Sequence, residues 1–356
     1  MAIITLSGMI PVLWICGPSG IGKTTVAWEL FTRTPGVAYV DIDQLGMCYT
    51  PSFSNAGLHT MKARNLAAIL PHYAAAGARG LIVSGVVDVV DGIPRELLPT
   101  VRLCRLTVSH AELQQRYQAR GVRLESLAQA LDDAEVMDRG TFAEEIVDTT
   151  GLSVAEVCAQ ISAPQWHDGP SYPEPSPVPA GGTVTWLCGP QAVGKSSIGF
   201  AVYLKLRSAG LSAFADLEQL GFAGSDHRLR ARNVAALWRT FRSYGAEHLV
   251  MVGPADSQET VDVYARELMG ASLTVWRLDA DEAALTQRFL ARGAGAGPGI
   301  PGDTLAGQPG EALRLGAIAA ASEGERLRQA NVGDLSIDTS RLSVADSAAF
   351  ILGSAV

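Results

Sequence analysis

The sequence predicts an α/β protein built as two tandem three-layer domains, each a parallel sheet with helices on both faces. Three observations predict it. Five blocks of sequence recur in the same order along the 356 residues, offset by about 170 to 190 positions, as a duplicated unit would place them. Short, nearly continuous apolar runs alternate with helical patterns in each copy, which marks strands buried on both faces. Each copy also opens with an apolar run that ends in a glycine loop and passes into a helix.

The paired blocks read as follows. WICGPSGIGKTT at 14–25 is answered by WLCGPQAVGKSS at 186–197, and AYVDIDQLGM at 38–47 by AFADLEQLGF at 213–222. HTMKARNLAAIL from His59 is matched by HRLRARNVAALW from His227, and AELQQRYQARG from Ala111 by AALTQRFLARG from Ala283. VDTTGLSVAEV near Val147 pairs with IDTSRLSVADS near Ile337. Between the copies, residues 163–182 (APQWHDGPSYPEPSPVPAGG) carry repeated prolines that disfavour helix and central strand, so a semi-extended linker is expected there. The expected division is therefore a first domain at 1–162, a linker at 163–182 and a second domain at 183–356. Within each copy the pattern reads strand, loop, helix and then three further strands, each followed by a helix. VLWIC, VAYVD, LIVSG and VRLCRLTV are the strands of copy one; TVTWLC, SAFAD, HLVMVG and SLTVWRLDA are those of copy two. The glycine-rich stretch 293–310 in copy two, where copy one has the helix-like VRLESLAQALDDAEV, reads as a flexible flap.

Composition narrows the function classes. Hydrophobic residues make up 47% and charged residues 18%, ample for two cores and against global disorder. No apolar run reaches the roughly 20 residues of a membrane helix, and the apolar N-terminus lacks the basic start of a signal peptide. The formal charge of −8 argues against a general nucleic-acid binder, which grips phosphates with excess Lys and Arg. Five cysteines, Cys16, Cys48, Cys104, Cys158 and Cys188, form no CxxC pair and read as buried small residues in a reducing cytoplasm.

The chemistry-bearing motif is G-x-x-x-x-G-K-[ST], present as GPSGIGKT at 17–24 and GPQAVGKS at 189–196. Such a loop turns backbone N–H groups inward around the terminal phosphates of a nucleotide. The loop residues Gly17, Ser19, Gly20, Gly22, Thr25, Gly189, Gly194 and Ser197 shape or line that cradle, Gly22 and Gly194 because a side chain there would hinder close approach. Lys23 and Lys195 bring a positive charge to the β/γ-phosphates; the hydroxyls of Thr24 and Ser196 can ligate Mg²⁺. The helix that follows adds its positive dipole end. A second constellation is a carboxylate pair after the second strand, Asp41 and Asp43 in VDID, Asp216 and Glu218 in ADLE. At this spacing both point to one side, where one can hold magnesium through water and the other take a proton from an attacking hydroxyl. The competing reading is that they cap the next helix.

The strand, phosphate loop, D-x-D pair and late R-x-x-x-R together resemble the small P-loop kinases, the group of gluconate, shikimate and adenylylsulfate kinases within the P-loop NTPases. The resemblance covers most of each copy, with the phosphate loop its specific part. It implies that Asp41 and Asp216 help place magnesium, while Asp43 and Glu218 contact the acceptor and serve as base; Glu218 departs from the Asp of copy one. It also implies that Arg116, Arg120, Arg288 and Arg292, one turn apart on their helices, sit at the base of a lid near the transferring phosphoryl group. By the same analogy Arg64, Asn65, Arg232 and Asn233 lie on the helix that lines the acceptor pocket. His59 and His227 read as capping or surface groups, and the DGIPR stretch at 91–95 as a turn.

The expected activity is transfer of a phosphoryl group from ATP, with Mg²⁺, to a hydroxyl or phosphate on a small metabolite. A nucleotide-binding regulatory or scaffold protein is the alternative, and an ATPase assembly factor a third. No N-K-x-D motif for guanine occurs, which favours ATP over GTP. The partners expected are a nucleoside triphosphate and a small acceptor, with no nucleic acid and no membrane, in a monomer with an internal pseudo-dimer or in a homodimer. The acceptor itself is not spelled out by any stretch of sequence.

Overall fold

A computed structural model of the chain describes residues 9–49, 55–119, 124–167, 178–221, 227–296 and 303–354. The chain divides into two compact units. One takes in residues 9–46 and 55–167 of those described, the other 47–49, 178–221, 227–296 and 303–354. Half of the proline-rich stretch, 168–177, lies outside the described residues, as does part of the glycine-rich one, 297–302.

The first unit runs β1 (Val12–Cys16), α1 (Lys23–Arg33), β2 (Val37–Asp41), α2 (Asn55–Ala75), β3 (Gly80–Ser84), β4 (Val101–Thr107), α3 (His110–Ala119), α4 (Leu124–Asp138), β5 (Glu145–Asp148) and α5 (Val154–Gln160). The second runs β6 (Thr183–Cys188), α6 (Lys195–Ala209), β7 (Ser212–Asp216), α7 (His227–Ser243), β8 (His248–Val252), α8 (Gln258–Glu267), β9 (Ser272–Asp279), α9 (Glu282–Ala291), α10 (Gly310–Gln329), β10 (Leu335–Asp338) and α11 (Val344–Gly353). Each unit holds a five-stranded sheet, β2-β3-β1-β4-β5 in one and β7-β8-β6-β9-β10 in the other. All strand pairs are parallel. The strand that feeds the phosphate loop is central in both. Val12 sits between Leu81 and Val101, and Thr183 between His248 and Ser272.

This placement explains why VLWIC is apolar at every position: all five residues are buried, since helices cover both faces of a parallel sheet. Leu13, Ile15, Ile21, Val26, Ile82, Leu106, Val147 and Val157 build one core. Leu187, Val193, Ile198, Phe214, Val250, Trp276, Leu278 and Phe289 build the other. Each such side chain contributes roughly 1.5–3 kcal/mol on burial. The indoles of Trp14 and Trp186 are core residues in both units. Each donates its ring N–H at 3.3 Å to the carbonyl of a glycine just past the third strand, Gly85 or Gly253.

Two features go beyond the sequence pattern. Each sheet has a fifth strand, built from the last recurring block, and the helix after it is capped by its serine. Ser153 accepts from the Glu156 N–H at 3.3 Å, while the Glu156 carboxylate accepts from the Ser153 N–H at 2.8 Å, a capping box. Ser343 accepts from the Asp346 N–H at 3.1 Å. The units also differ between their third and fourth strands: the second has α8, whereas the first has turns joined by an Asp88–Gly92 bridge around DGIPR. Among the described residues no helix is long and apolar enough to cross a membrane.

Candidate functional site

The phosphate loops leave the carboxyl ends of the central strands, where a doubly covered parallel sheet opens toward a ligand. Gly22 and Gly194 cap α1 and α6 at φ 108° and 106°, a conformation that favours glycine, and no side chain caps either helix. With no acidic residue in the first turn, the uncapped N–H groups and the helix dipole together form an anion site. The lysine amines rest on the loop itself. Lys23 Nζ donates to the Pro18 carbonyl at 2.8 Å; Lys195 Nζ donates to the Gly189 and Pro190 carbonyls, both at 2.9 Å. Burial pulls the Lys195 amine below its ordinary pKa, opposed by the nearby charges of Glu218, Glu323 and Asp216.

The loops differ at their fourth residue. Gly20 lies under the Tyr117 ring, 2.2 Å from where a Cβ would stand, so that position has room only for glycine. Its counterpart Ala192 adopts φ 62°, a left-handed conformation that costs an L-residue roughly 1–2 kcal/mol.

The acidic pairs sit where the second strand ends. Asp41 Oδ1 accepts from the Asp43 N–H at 2.9 Å, and Asp216 Oδ1 from the Glu218 N–H at 3.0 Å. The first carboxylate therefore does cap the short 3-10 turn that follows (Ile42–Gly46 or Leu217–Leu220), with one oxygen. Its other oxygen is turned to a hydroxyl: Ser84 Oγ donates to Asp41 Oδ2 at 3.4 Å, and Ser196 Oγ to Asp216 Oδ2 at 3.2 Å. Burial raises both carboxyls to about 6, helped by the charge of Asp43 on Asp41 and of Glu218 on Asp216. The Ser196–Asp216 pair is a hard-oxygen donor set of the kind that holds Mg²⁺ with a few protein ligands, the rest coming from phosphate and water. Thr24 and Asp41 are the corresponding residues of the first unit.

Asp43 has a partner that sequence reading missed. Lys62 Nζ lies 2.6 Å from its Oδ1, with the lysine side chain 3% exposed and the aspartate 50%. The signal was present, because the KARN and RARN blocks both carry a base at this position, Lys62 and Arg230. Glu218, the Asp43 counterpart, is exposed.

The arginines divide. Arg116 Nη1 donates to the Ile21 carbonyl at 2.6 Å and Nη2 to the Thr149 carbonyl at 3.2 Å, with Glu112 Oε1 at 2.6 Å. Arg288 repeats this with the Val193 carbonyl at 2.9 Å and the Thr339 carbonyl at 2.7 Å. Both grip the backbone of the phosphate loop, so what they touch is the cradle itself, where the resemblance implied the transferring group. Arg292 pairs with Asp303 at 3.0 Å; Arg120 lies outside the described residues.

On α2 and α7 Arg64 is exposed, and Arg232 Nε lies 3.5 Å from Glu267 Oε1. Asn65 and Asn233, expected on the pocket wall, are wholly buried. Their amides donate to the Leu45 and Leu220 carbonyls at 2.6 and 2.9 Å. This ties α2 and α7 to the turns that bear the acidic pairs: a positioning role, because the amide faces backbone. His227 is half-buried rather than a surface group, with Nε2 2.8 Å from Asp256 and Nδ1 3.3 Å from the Tyr264 hydroxyl. Burial and Lys62 lower the pKa of His59, against the pull of Asp88 and Asp43. All five cysteines are buried and unpaired; burial pushes Cys16, Cys48, Cys104 and Cys188 up to about 12, which leaves them inert thiols.

The comparisons with known proteins follow this geometry. A family model described as an AAA domain matches residues 13–138, a span that includes the first phosphate loop, its acidic pair and Arg116. No curated protein matches the chain. Among solved structures, the tunicamycin resistance protein of Deinococcus radiodurans is 24% identical, over 42% of this chain and 92% of its own, with a TM-score of 0.34. The APS kinase of Mycobacterium tuberculosis, in complex with AMPPNP and APS, is 20% identical over 50% and 98%, at 0.31. A gluconokinase from Sinorhizobium meliloti is 18% identical over 43% and 89%, also at 0.31. Over residues 13–138 the chain is similar to the AAA-domain family.

Proposed function

We propose that the chain is an ATP- and Mg²⁺-dependent phosphotransferase acting on a hydroxyl or phosphate of a small molecule. In this reading it is a tandem duplication of a P-loop kinase-like domain, at 1–162 and 183–356, joined by the linker at 163–182. The observation that carries it is the carboxylate pair beside each phosphate loop, above all Asp216 Oδ2 at 3.2 Å from the loop hydroxyl of Ser196. The second carboxylate, two residues further on, is the group that a phosphotransferase needs to take the acceptor's proton.

The loop N–H groups and Lys23 or Lys195 hold the β- and γ-phosphates, the lysine leaving its carbonyl partners to do so. Thr24 with Asp41, or Ser196 with Asp216, would hold the metal ion, whose charge neutralises the phosphate oxygens as the γ-phosphoryl departs. Asp43, half-exposed and steered by Lys62 through one oxygen, receives the acceptor's proton; Glu218 takes that part in the second unit. Arg116 and Arg288 keep the cradle's shape through its carbonyls. The buried, unpaired thiols fit the reducing cytoplasm, where ATP is also abundant.

The test is ATP consumption by the whole chain against a panel of small metabolites, beside Lys23→Ala and Lys195→Ala. Acceptor-dependent ADP release that disappears with one lysine identifies the working unit. ADP release that survives both substitutions defeats the reading. A regulatory, nucleotide-binding role for the second unit is the alternative, favoured by the approach of Glu323 to its loop.

A further inference from the structure

A phosphate loop works because its N–H donors and its lysine wait for an anion. In the second unit a carboxylate stands beside them. Glu323, on α10, brings its carboxylate beside the loop backbone at Gln191 and within electrostatic reach of Lys195; burial raises its pKa, opposed by the charges of Lys195 and Arg326. Helix α10 is laid against the loop at this point: a Cβ on Gly324, the next residue, would stand 3.4 Å from the Pro190 ring. Arg326, one turn from Glu323, donates to the Asp256 carbonyl at 2.9 Å, which ties the same stretch of helix to the chain beyond β8.

The first unit is arranged differently. Asp133 precedes β5 by the same twelve residues that separate Glu323 from β10, and it accepts from Gln129 of its own helix at 2.8 Å. A carboxylate on loop N–H groups at a helix N-terminus is the protein's closest imitation of a phosphate oxygen.

We propose that Glu323 is a built-in anionic plug of the second phosphate loop, and that a nucleoside triphosphate binds this unit only after α10 draws its carboxylate off Gln191. The proposal rests on the nucleotide-binding reading of the loop and adds a regulatory asymmetry to it. In the first unit the carboxylate at the matching place is engaged by Gln129 instead, so that loop is expected to take nucleotide at lower concentration. The second responds only when ATP, or a ligand that moves α10, outweighs the plug. Apparent affinity is the intrinsic one reduced by the fraction of molecules with the plug withdrawn.

The experiment uses the full chain with Lys23→Ala, which disables the first loop, titrated with a fluorescent ATP analogue and Mg²⁺. Glu323→Gln is added to that background, and Glu325→Gln, an exposed carboxylate on the same helix paired with Arg328 and Gln329, serves as the charge control. Thermal melts establish that each variant is folded. Glu323→Gln is expected to tighten binding about tenfold or more by raising the competent fraction, with Glu325→Gln unchanged. Equal affinity with and without Glu323→Gln overturns the plug and leaves the nucleotide-binding reading standing. No binding in either chain, while the Lys195→Ala chain still binds through the first loop, overturns that reading for the second loop and the plug with it.

Discussion

The guanidinium of Arg116 holds the carbonyl of Ile21, the residue before the last glycine of the phosphate loop, at 2.6 Å. Arg288 holds Val193, at the same place in the second loop, at 2.9 Å. In each unit a second nitrogen of the same arginine reaches a threonine carbonyl just after the fifth strand, Thr149 or Thr339. Because the loop must present its N–H groups inward, its carbonyls face out and need donors of their own. The planar fork of an arginine supplies two in fixed geometry.

This brace makes a prediction that separates shape from charge. Arg116→Lys keeps the positive charge but cannot span Ile21, Thr149 and Glu112 together. Losing one or two bonds worth about 1 kcal/mol each is expected to weaken binding of an ATP analogue to the first loop by about tenfold and to lower the melting temperature by ~2–4 °C. Isothermal titration and a thermal melt read the two effects. An unchanged loop affinity would show that the brace is idle.

Asp41 and Asp216 make a pH prediction. Both carboxyls are raised to about 6 by burial and by the neighbouring acidic side chain, above the value of about 3.9 of an unfolded aspartate. A raised folded value means that the stability tied to these groups is fully present below the unfolded pKa and is lost as pH rises through about 6. Asp41→Asn, which stays neutral, is therefore expected to melt higher than the native chain at pH 8, with the gap closing toward pH 5. Binding of Mg²⁺ with ATP runs the opposite way, because the ion needs the ionised carboxylate, and should weaken as pH falls through 6. A pH-independent gap between variant and native chain would contradict the assignment.

Much of this was legible in the sequence, for physical reasons that can be named. The phosphate loop is readable because backbone geometry dictates residue type: Gly22 and Gly194 need positive φ. The strands are readable because both faces are buried, which forces runs such as VLWIC. The recurring blocks also located Asn65 and Arg116, but not what they touch. A polar residue buried on a backbone carbonyl and one exposed in a pocket obey the same spacing, so Asn65 read as a pocket residue. The fifth strands, four residues each with a single buried position, are too short and too exposed to show a period. Glu323 gave no signal at all, since its meaning comes from where α10 lies and not from its neighbours in sequence.

The pair Lys62–Asp43 decides whether Asp43 is a base, an anchor, or both. Lys62 is almost wholly buried and Asp43 half-exposed, so the two ends of this ion pair are unequal. Removing the carboxylate strands a buried ammonium. The 3–5 kcal/mol typical of breaking a fully buried pair shrinks here, through solvent at Asp43, to roughly 1–2 kcal/mol. Removing the lysine instead leaves Asp43 facing water, at a cost of about 1 kcal/mol or less. Asp43→Asn is thus expected to lower the melting temperature more than Lys62→Met, and the double variant to melt close to Lys62→Met alone. Turnover follows a different pattern if Asp43 takes the acceptor's proton, because it is lost in Asp43→Asn and stays lost in the double variant even though the fold recovers. Turnover restored together with stability in the double variant would show that Asp43 only anchors Lys62, and the proton would then need another acceptor in the site.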